Sequence, residues 1–238
     1  MKEKENLMNR MLQYTLGVVF SICLMIVLLF TSVEAAVYWI PGYFEKEYTK
    51  YNVTEAVSMN MDDLLDVTDQ MMAYLKGKRD NLHVPTTMGG VEREFFNARE
   101  IAHMEDVRGL FLGGISMRTN CLLIMALCLI LLKLLKTKFK STFPKAVCAG
   151  SGLFFLASAA TALLISTDFN RYFIRFHEMF FQNDLWMLDP STDMLINIVP
   201  EGFFSDTVFL IGTIFFISVL FVVTFCLFLV HKYGKNAD

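Results

Sequence analysis

Four apolar runs of about 20 residues, near 12–38, 119–136, 146–166 and 207–230, constrain this chain more than anything else in it. A helix of about 20 apolar residues spans the ~30 Å hydrocarbon core of a bilayer. Within that core only helices and closed barrels satisfy their own backbone groups. Composition agrees: 55% of the residues are hydrophobic, against ~45–50% for soluble domains even when glycine is counted. A soluble domain and a disordered chain are thereby excluded. The net charge of −3 provides no basic field for a nucleic-acid partner. The expected fold class is an all-α integral membrane protein. Residues 1–238 form a single membrane domain of four transmembrane helices, and loops 39–118 and 167–206 build a mainly helical cap.

Basic residues orient the helices, because short loops rich in Lys and Arg stay in the cytoplasm. The two ends and the short middle loop carry ten basic residues against three acids, whereas the two long loops carry eleven against twenty. Both termini are therefore expected in the cytoplasm and the cap outside it. A cleaved signal peptide ending near Val33-Glu34-Ala35 is the competing reading of the N-terminus. The apolar run continues past that point to Tyr38 and Trp39, which resemble an interfacial aromatic belt and favour a retained helix. Cys23, Cys121, Cys128, Cys148 and Cys226 all lie in apolar runs, so neither a disulfide framework nor a thiolate metal site is expected.

In the first long loop, 54–78 reads as one amphipathic helix. Val57, Met61, Leu64, Leu65, Met71, Met72 and Leu75 line one face, and Asp62, Asp63, Asp66 and Asp69 the other. Its acids lack the spacing and glycine of a calcium loop. Gly77 is the expected stop. Residues 79–90, with Pro85, Gly89 and Gly90, read as loop, and His83 there as a solvated side chain. Residues 91–112 read as a second helix, on which Phe96, Arg99, Glu100, His103, Asp106, Val107 and Leu110 share a face. An acid three residues from a histidine, here Glu100 or Asp106, is able to fix its tautomer. His103 is thus a candidate acid–base group, and a helix surface laced with salt bridges is the plainer alternative.

The second long loop crowds Arg171, Arg175, His177, Glu178, Asn183 and Asp184 among Phe169, Tyr172, Phe173, Phe176, Phe180, Phe181 and Trp186. Aromatic walls with a few converging polar groups suit a lipid-binding pocket, and an aromatic-anchored interfacial hairpin is the simpler reading. Asp189-Pro190 suggests a helix start, and Pro200 its end.

Two stretches resemble a known family. Phe96-Asn97-Ala98-Arg99-Glu100-Ile101-Ala102-His103-Met104-Glu105-Asp106-Val107 is similar to the first histidine motif of the lipoprotein intramolecular transacylases, called Lit. Phe176-His177-Glu178-Met179-Phe180-Phe181, with Asn183-Asp184-Leu185-Trp186 and Leu188-Asp189-Pro190, resembles the second, and Pro200-Glu201-Gly202-Phe203-Phe204 continues the match. The resemblance implies a bacterial cytoplasmic-membrane acyltransferase acting on a diacylglyceryl lipoprotein within membrane lipid. It moves the sn-2 acyl chain to the α-amino group of the N-terminal cysteine and leaves a lyso-form lipoprotein. It implies two catalytic histidines, His103 and His177. Ester-to-amide transfer is downhill, so no cofactor and no metal is expected.

His103 is assigned the base and His177 the acid or oxyanion role, with the reverse also compatible with the sequence. Glu100 or Asp106 is expected to orient His103, and Asp184 or Glu178 to orient His177. Arg99 and Arg175 are expected to stabilise fold or charge, and Phe176, Phe180 and Trp186 to position the lipid. Two alternatives use other chemistry: an acyltransferase with a phospholipid donor, and a non-enzymatic membrane partner for which both histidines are dispensable. A transporter is disfavoured because no acid lies deep in a span; Glu34 is near an edge. A serine nucleophile elbow is absent. The oligomeric state has no signature in the sequence.

Overall fold

A computed structural model describes residues 2–134 and 139–234, with side chains described for 8–134 and 143–232. Lys136, Lys138 and Lys235, three of the orienting basic residues, lie outside these residues, as do the side chains of Lys2, Lys4 and Lys140. In chain order the elements are α1 (Lys2–Glu34), a π-turn (Ala35–Trp39), α2 (Tyr43–Lys50), α3 (Val53–Ala56), α4 (Met61–Leu75), β1 (Pro85–Met88), β2 (Val91–Glu94), α5 (Ala98–Leu134), α6 (Phe139–Thr167), α7 (Phe169–Phe180), α8 (Met194–Ile198) and α9 (Glu201–Gly234).

Four helical stretches are long and apolar enough to cross a membrane: Met8–Trp39, Ala98–Leu134, Phe143–Thr167 and Glu201–Lys232. At 1.5 Å per residue, the 37 residues of α5 measure about 55 Å, far more than the hydrocarbon core. Its polar first turns are therefore surplus to the span, which is why the apolar run begins only near residue 119. Leu123, Leu153, Leu163 and Phe221 point outward and exposed, an apolar surface suited to lipid chains.

The chain divides into two compact units. The first comprises Met1–Ala36, Ser116–Ser166 and Leu210–Asp238. Met25 and Val219 are fully buried at its centre, with Phe215 beside them and Phe154 and Phe155 packed around. α1 and α6 approach closely through small residues. A Cβ added at Gly17 would lie 2.6 Å from Ala146 Cβ, and one at Gly150 2.5 Å from Ser21 Oγ. Ser21 donates to the Val147 carbonyl at 3.3 Å. Small residues and hydroxyls are the usual means of packing helices in lipid, where burial of apolar surface drives nothing. Glu34 pairs with Arg118 in this unit, and pairing of this kind is how charges near lipid are tolerated.

The second unit comprises Val37–Ile115 and Thr167–Phe209. Tyr48, Leu64, Val67, Leu82, Val84, Phe95 and Ile198 are buried there. The expected helix over 54–78 is two helices, because Ser58 adopts a positive φ of 53° and Asn60 caps a new start, its Oδ1 accepting from the Asp63 amide at 2.8 Å. Gly77, at φ 71°, ends this part of the chain as expected.

The expected loop 79–90 and the start of the expected helix 91–112 form instead an antiparallel hairpin, with Met88 opposite Val91. Gly89 and Gly90 take φ values of 58° and 81°. A two-residue turn with both φ positive matches the twist of paired strands. The Gly-Gly pair beside Thr86, Thr87 and Val91 was the sequence signal for it. The helix expected to begin at Asp189-Pro190 also starts later. Asp189 Oδ1 folds back on the Ser191 amide at 2.8 Å, and α8 begins only at Met194.

Candidate functional site

The site is built within the second unit, beginning at the first turn of α5. Asn97 Oδ1 accepts from the amides of Arg99 at 2.8 Å and Glu100 at 3.0 Å. Glu100 Oε2 reaches back to the Asn97 amide at 2.7 Å. This reciprocal box satisfies helix-start donors that have no partner within the helix. The other oxygen of Glu100, Oε1, accepts from the Leu195 amide at 2.5 Å, 95 residues away. Glu100 is fully buried. Burial pushes its carboxyl above the ordinary range, and the amides of Asn97 and Leu195 pull against that shift. Glu100 thus caps two chain segments, and both its oxygens are occupied by amides rather than by His103.

Asp193 completes the clamp. It accepts from Asn97 Nδ2 and from the Asp189 amide, both at 2.7 Å, and is buried. Burial alone would raise its pKa, but those bonds, with Thr192 and the charge of Arg99, hold it below the ordinary carboxylate range. Arg99 donates to the Asp184 carbonyl, and Asn183 Nδ2 donates to Asp106 Oδ2 at 2.8 Å. The segment from Phe181 to Leu195 is thereby tied along the first turns of α5.

α7 supplies the second histidine. Asp168 caps it by accepting from the Arg171 amide at 3.1 Å, and His177 faces inward in the last turn, buried. Its Nδ1–H donates to the Phe173 carbonyl one turn back at 2.7 Å. A neutral ring held this way carries its free lone pair on Nε2. Aromatic rings enclose it: Phe173 at 4.3 Å, Trp186 at 5.0 Å, Phe176 and Phe181 at 5.5 Å between centroids.

His103 faces it across 6.3 Å, the planes tilted by 34°. Phe181 packs edge-on against His103 at 5.2 Å, so one phenyl ring touches both imidazoles. His103 is buried, and its Nδ1 has no hydrogen-bond partner among the described residues. Its position, well before the apolar stretch of α5, is outside the membrane-spanning part. Burial and the neighbouring His177 pull its pKa down to about 4, with the charge of Asp106 opposing. Burial also lowers His177, and the Phe173 carbonyl partly offsets this. Both rings are neutral at pH 7, so each offers one N–H and one lone pair.

The remaining expected residues divide in two. Trp186 and Phe176 contact His177, while Phe180 packs on Phe176 at 4.7 Å. Arg175 and Glu178 pair with each other at 2.8 Å on the exposed side of α7, and Asp184 is exposed, 3.9 Å from Arg99; none of the three reaches an imidazole. Asn97 and Asp193 belong to this cluster as well. The Asn-x-x-Glu spacing of 97–100 signals the first. No local pattern signals Asp193, whose role exists only where distant segments meet. Beside the histidine pair, Asp106, Leu110, Phe180, Phe181, Gln182 and Asn183 line a cavity of about 280 Å³.

Comparison with known proteins gives concordant results. The family profile described as "Lipoprotein intramolecular transacylase Lit" matches residues 18–204. The fold is similar to the solved structure of the membrane-integral lipoprotein intramolecular transacylase Lit from Bacillus cereus, with a TM-score of 0.78 and 21% identity over 94% of this chain and 98% of that one. A histidine-to-alanine variant of the same Bacillus cereus protein aligns with a TM-score of 0.75 and 22% identity, over 98% of both chains. No curated protein sequence matches.

Proposed function

Because this chain belongs to the lipoprotein intramolecular transacylase family, we propose that it moves the sn-2 acyl chain of a diacylglyceryl lipoprotein to the α-amino group of the lipoprotein's N-terminal cysteine. The observation that carries this reading is the buried, aromatic-walled pair His103 and His177, with His177 Nδ1 on the Phe173 carbonyl and His103 Nδ1 unpartnered among the described residues.

The ring nitrogens support the second of the two assignments the sequence left open. His177, its Nδ1–H committed to the Phe173 carbonyl, presents the Nε2 lone pair and is the base. His103 Nδ1 is buried without a partner. A buried N–H is almost never left unpaired, so the proton sits on Nε2 and His103 is the hydrogen-bond donor. The amine nitrogen attacks the ester carbonyl carbon, and His177 Nε2 takes its proton. The oxyanion that develops receives the His103 Nε2–H. Collapse re-forms the carbonyl and breaks the bond to the glyceryl oxygen, which recovers the proton from His177. From the neutral amine, the result is one amide and one free hydroxyl with no net proton change. Burial serves this chemistry by holding both rings neutral where the base must be unprotonated.

Aromatic walls fold a two-chain lipid so that amine and ester meet, and oriented intramolecular reactions reach effective molarities of ~10⁵–10⁸ M. The excess of basic residues in the short segments supports cytoplasmic termini and an extracytoplasmic second unit in a bacterial cytoplasmic membrane.

The test is mass spectrometry of one lipoprotein's N-terminal lipopeptide from a bacterium making only the diacyl form, with wild type, His103→Ala and His177→Ala expressed in parallel. A mass-neutral shift of one acyl chain to the amine, lost in both variants, is expected. A gain of one acyl mass would mean a phospholipid donor, and an unchanged lipopeptide in all strains a non-enzymatic protein.

A further inference from the structure

The substrate of this reaction arrives with the wrong charge. An α-amine of pKa ~7.7–8.0 is mostly ammonium at pH 7, and a cation entering aromatic, water-poor surroundings needs a carboxylate partner. Neither neutral imidazole provides one. Glu100 has both oxygens on backbone amides and is fully buried. Asp193 is buried, with each oxygen engaged. Asp184 projects outward beside Arg99, and Glu178 pairs with Arg175. Asp106 differs from all four. It is half-buried, it lines the 280 Å³ cavity, and Phe181 of that cavity wall touches both histidine rings. Its Oδ2 accepts from Asn183, while Oδ1 accepts no hydrogen bond from the described residues.

Resting on the transacylase reading above, we propose that Asp106, held by Asn183, is the docking point for the α-ammonium group of the lipoprotein's N-terminal cysteine. Asp106 follows His103 by three residues on α5, so the two side chains are neighbours on one helix face, about one 5.4 Å turn apart. An amine held there lies beside the histidine pair, releases its extra proton to water, and then attacks as the neutral amine. Phe180 and Phe181 add ring faces that attract the same cation. His103 on α5 feels the charge of this carboxylate, and His177 from α7 stands 6.3 Å beyond the His103 ring; Arg99 and Asp184 engage each other further out. Burial keeps both imidazoles neutral above pH ~6.5, so a change in preference between pH ~6.5 and ~9 follows the charge of the substrate amine.

The experiment measures binding of a short diacylglyceryl-cysteine peptide whose sn-2 ester is replaced by an ether, so that no transfer occurs. The free-amine peptide and its N-acetylated counterpart are titrated against the full-length protein in detergent from pH 6.5 to 9. Wild type is expected to prefer the free amine about tenfold at pH 6.5, the scale of one charge-assisted hydrogen bond, and to lose that preference as the pH rises. Asp106→Asn is expected to bind the free amine as weakly as the N-acetyl peptide at every pH. Its unchanged affinity for the N-acetyl peptide reports an intact fold. Equal preference in wild type and Asp106→Asn, or no preference in wild type, overturns the anchor. Wild type binding neither peptide overturns the transacylase reading itself.

Discussion

Replacing Glu100 with Gln removes one acceptor from a fully buried position while keeping its shape. The carboxylate serves the Asn97 amide at 2.7 Å and the Leu195 amide at 2.5 Å. A carboxamide offers one oxygen and turns its NH₂ toward the other donor. One buried N–H is then unpaired, at a cost of about 1–3 kcal/mol, and the surviving bond loses charge assistance worth about 1 kcal/mol. Relief from burying a charge near Asp193 offsets part of this. The net destabilisation expected at pH 7 is about 1–3 kcal/mol, or ~5–150-fold in the folding equilibrium. Equilibrium unfolding of both proteins in the same detergent measures it.

The pH dependence of that difference is a second check on the same reasoning. The folded pKa of Glu100 is raised, chiefly by burial. The native state therefore holds this proton more tightly than the unfolded chain does. The stabilisation linked to it is fully present below the unfolded pKa and is lost as pH rises through the folded value. Glu100→Gln lacks this titration, so the gap between the two proteins is expected to widen on acidification. Equal stability at pH 7 would refute the two-amide clamp, and a gap that widens toward alkaline pH would refute burial as the dominant influence on Glu100.

Three further outcomes are expected. The folded pKa values of His103 and His177 are lowered, principally by burial. Their contribution to stability is present above the unfolded value near 6.5 and is lost as pH falls through the folded values, near 4 for His103; His103→Gln should flatten a melting-temperature profile over that window. Gly202→Ala places a Cβ 2.5 Å from Cε1 of the Tyr51 ring. Overpacking of that kind costs about 1–3 kcal/mol, and shifting the ring disturbs its 2.6 Å hydrogen bond to Asp206, measurable as earlier thermal unfolding and faster proteolysis. Gly90→Val forces a β-branched residue to φ 81° and is expected to destabilise the hairpin by about 1–3 kcal/mol, read as faster amide exchange in residues 85–94.

Some of this protein is written locally in its chain. The four long helices follow from apolar length alone, because bilayer thickness converts about 20 apolar residues into one crossing. The stop at Gly77 is a local signal and appears where expected. The Gly89-Gly90 hairpin was equally local. Reading its glycines as general breakers obscured it, although a turn with two positive φ values suits strands. The break at Ser58 is only partly local: Asn60 caps the new start, whereas the positive φ of Ser58 has no signal in the sequence.

His103 and His177 are visible in the sequence as histidines among acids and aromatics, 74 positions apart. The hydrogen-bonding state of each ring depends on its neighbours in space. The Phe173 carbonyl commits Nδ1 of His177, burial strands Nδ1 of His103, and Phe181 joins the two rings. Glu100 stands three residues from His103, where spacing suggested an orienting acid. Tertiary structure instead gives its second oxygen to Leu195, since a buried amide from a distant segment must find an acceptor. Sequence by itself determined the membrane helices and the chemical inventory, because bilayer length and side-chain type are properties of short stretches. The roles of that inventory were decided only in the folded chain, because tautomer, charge state and hydrogen-bond partner depend on groups that folding alone brings within 3 Å.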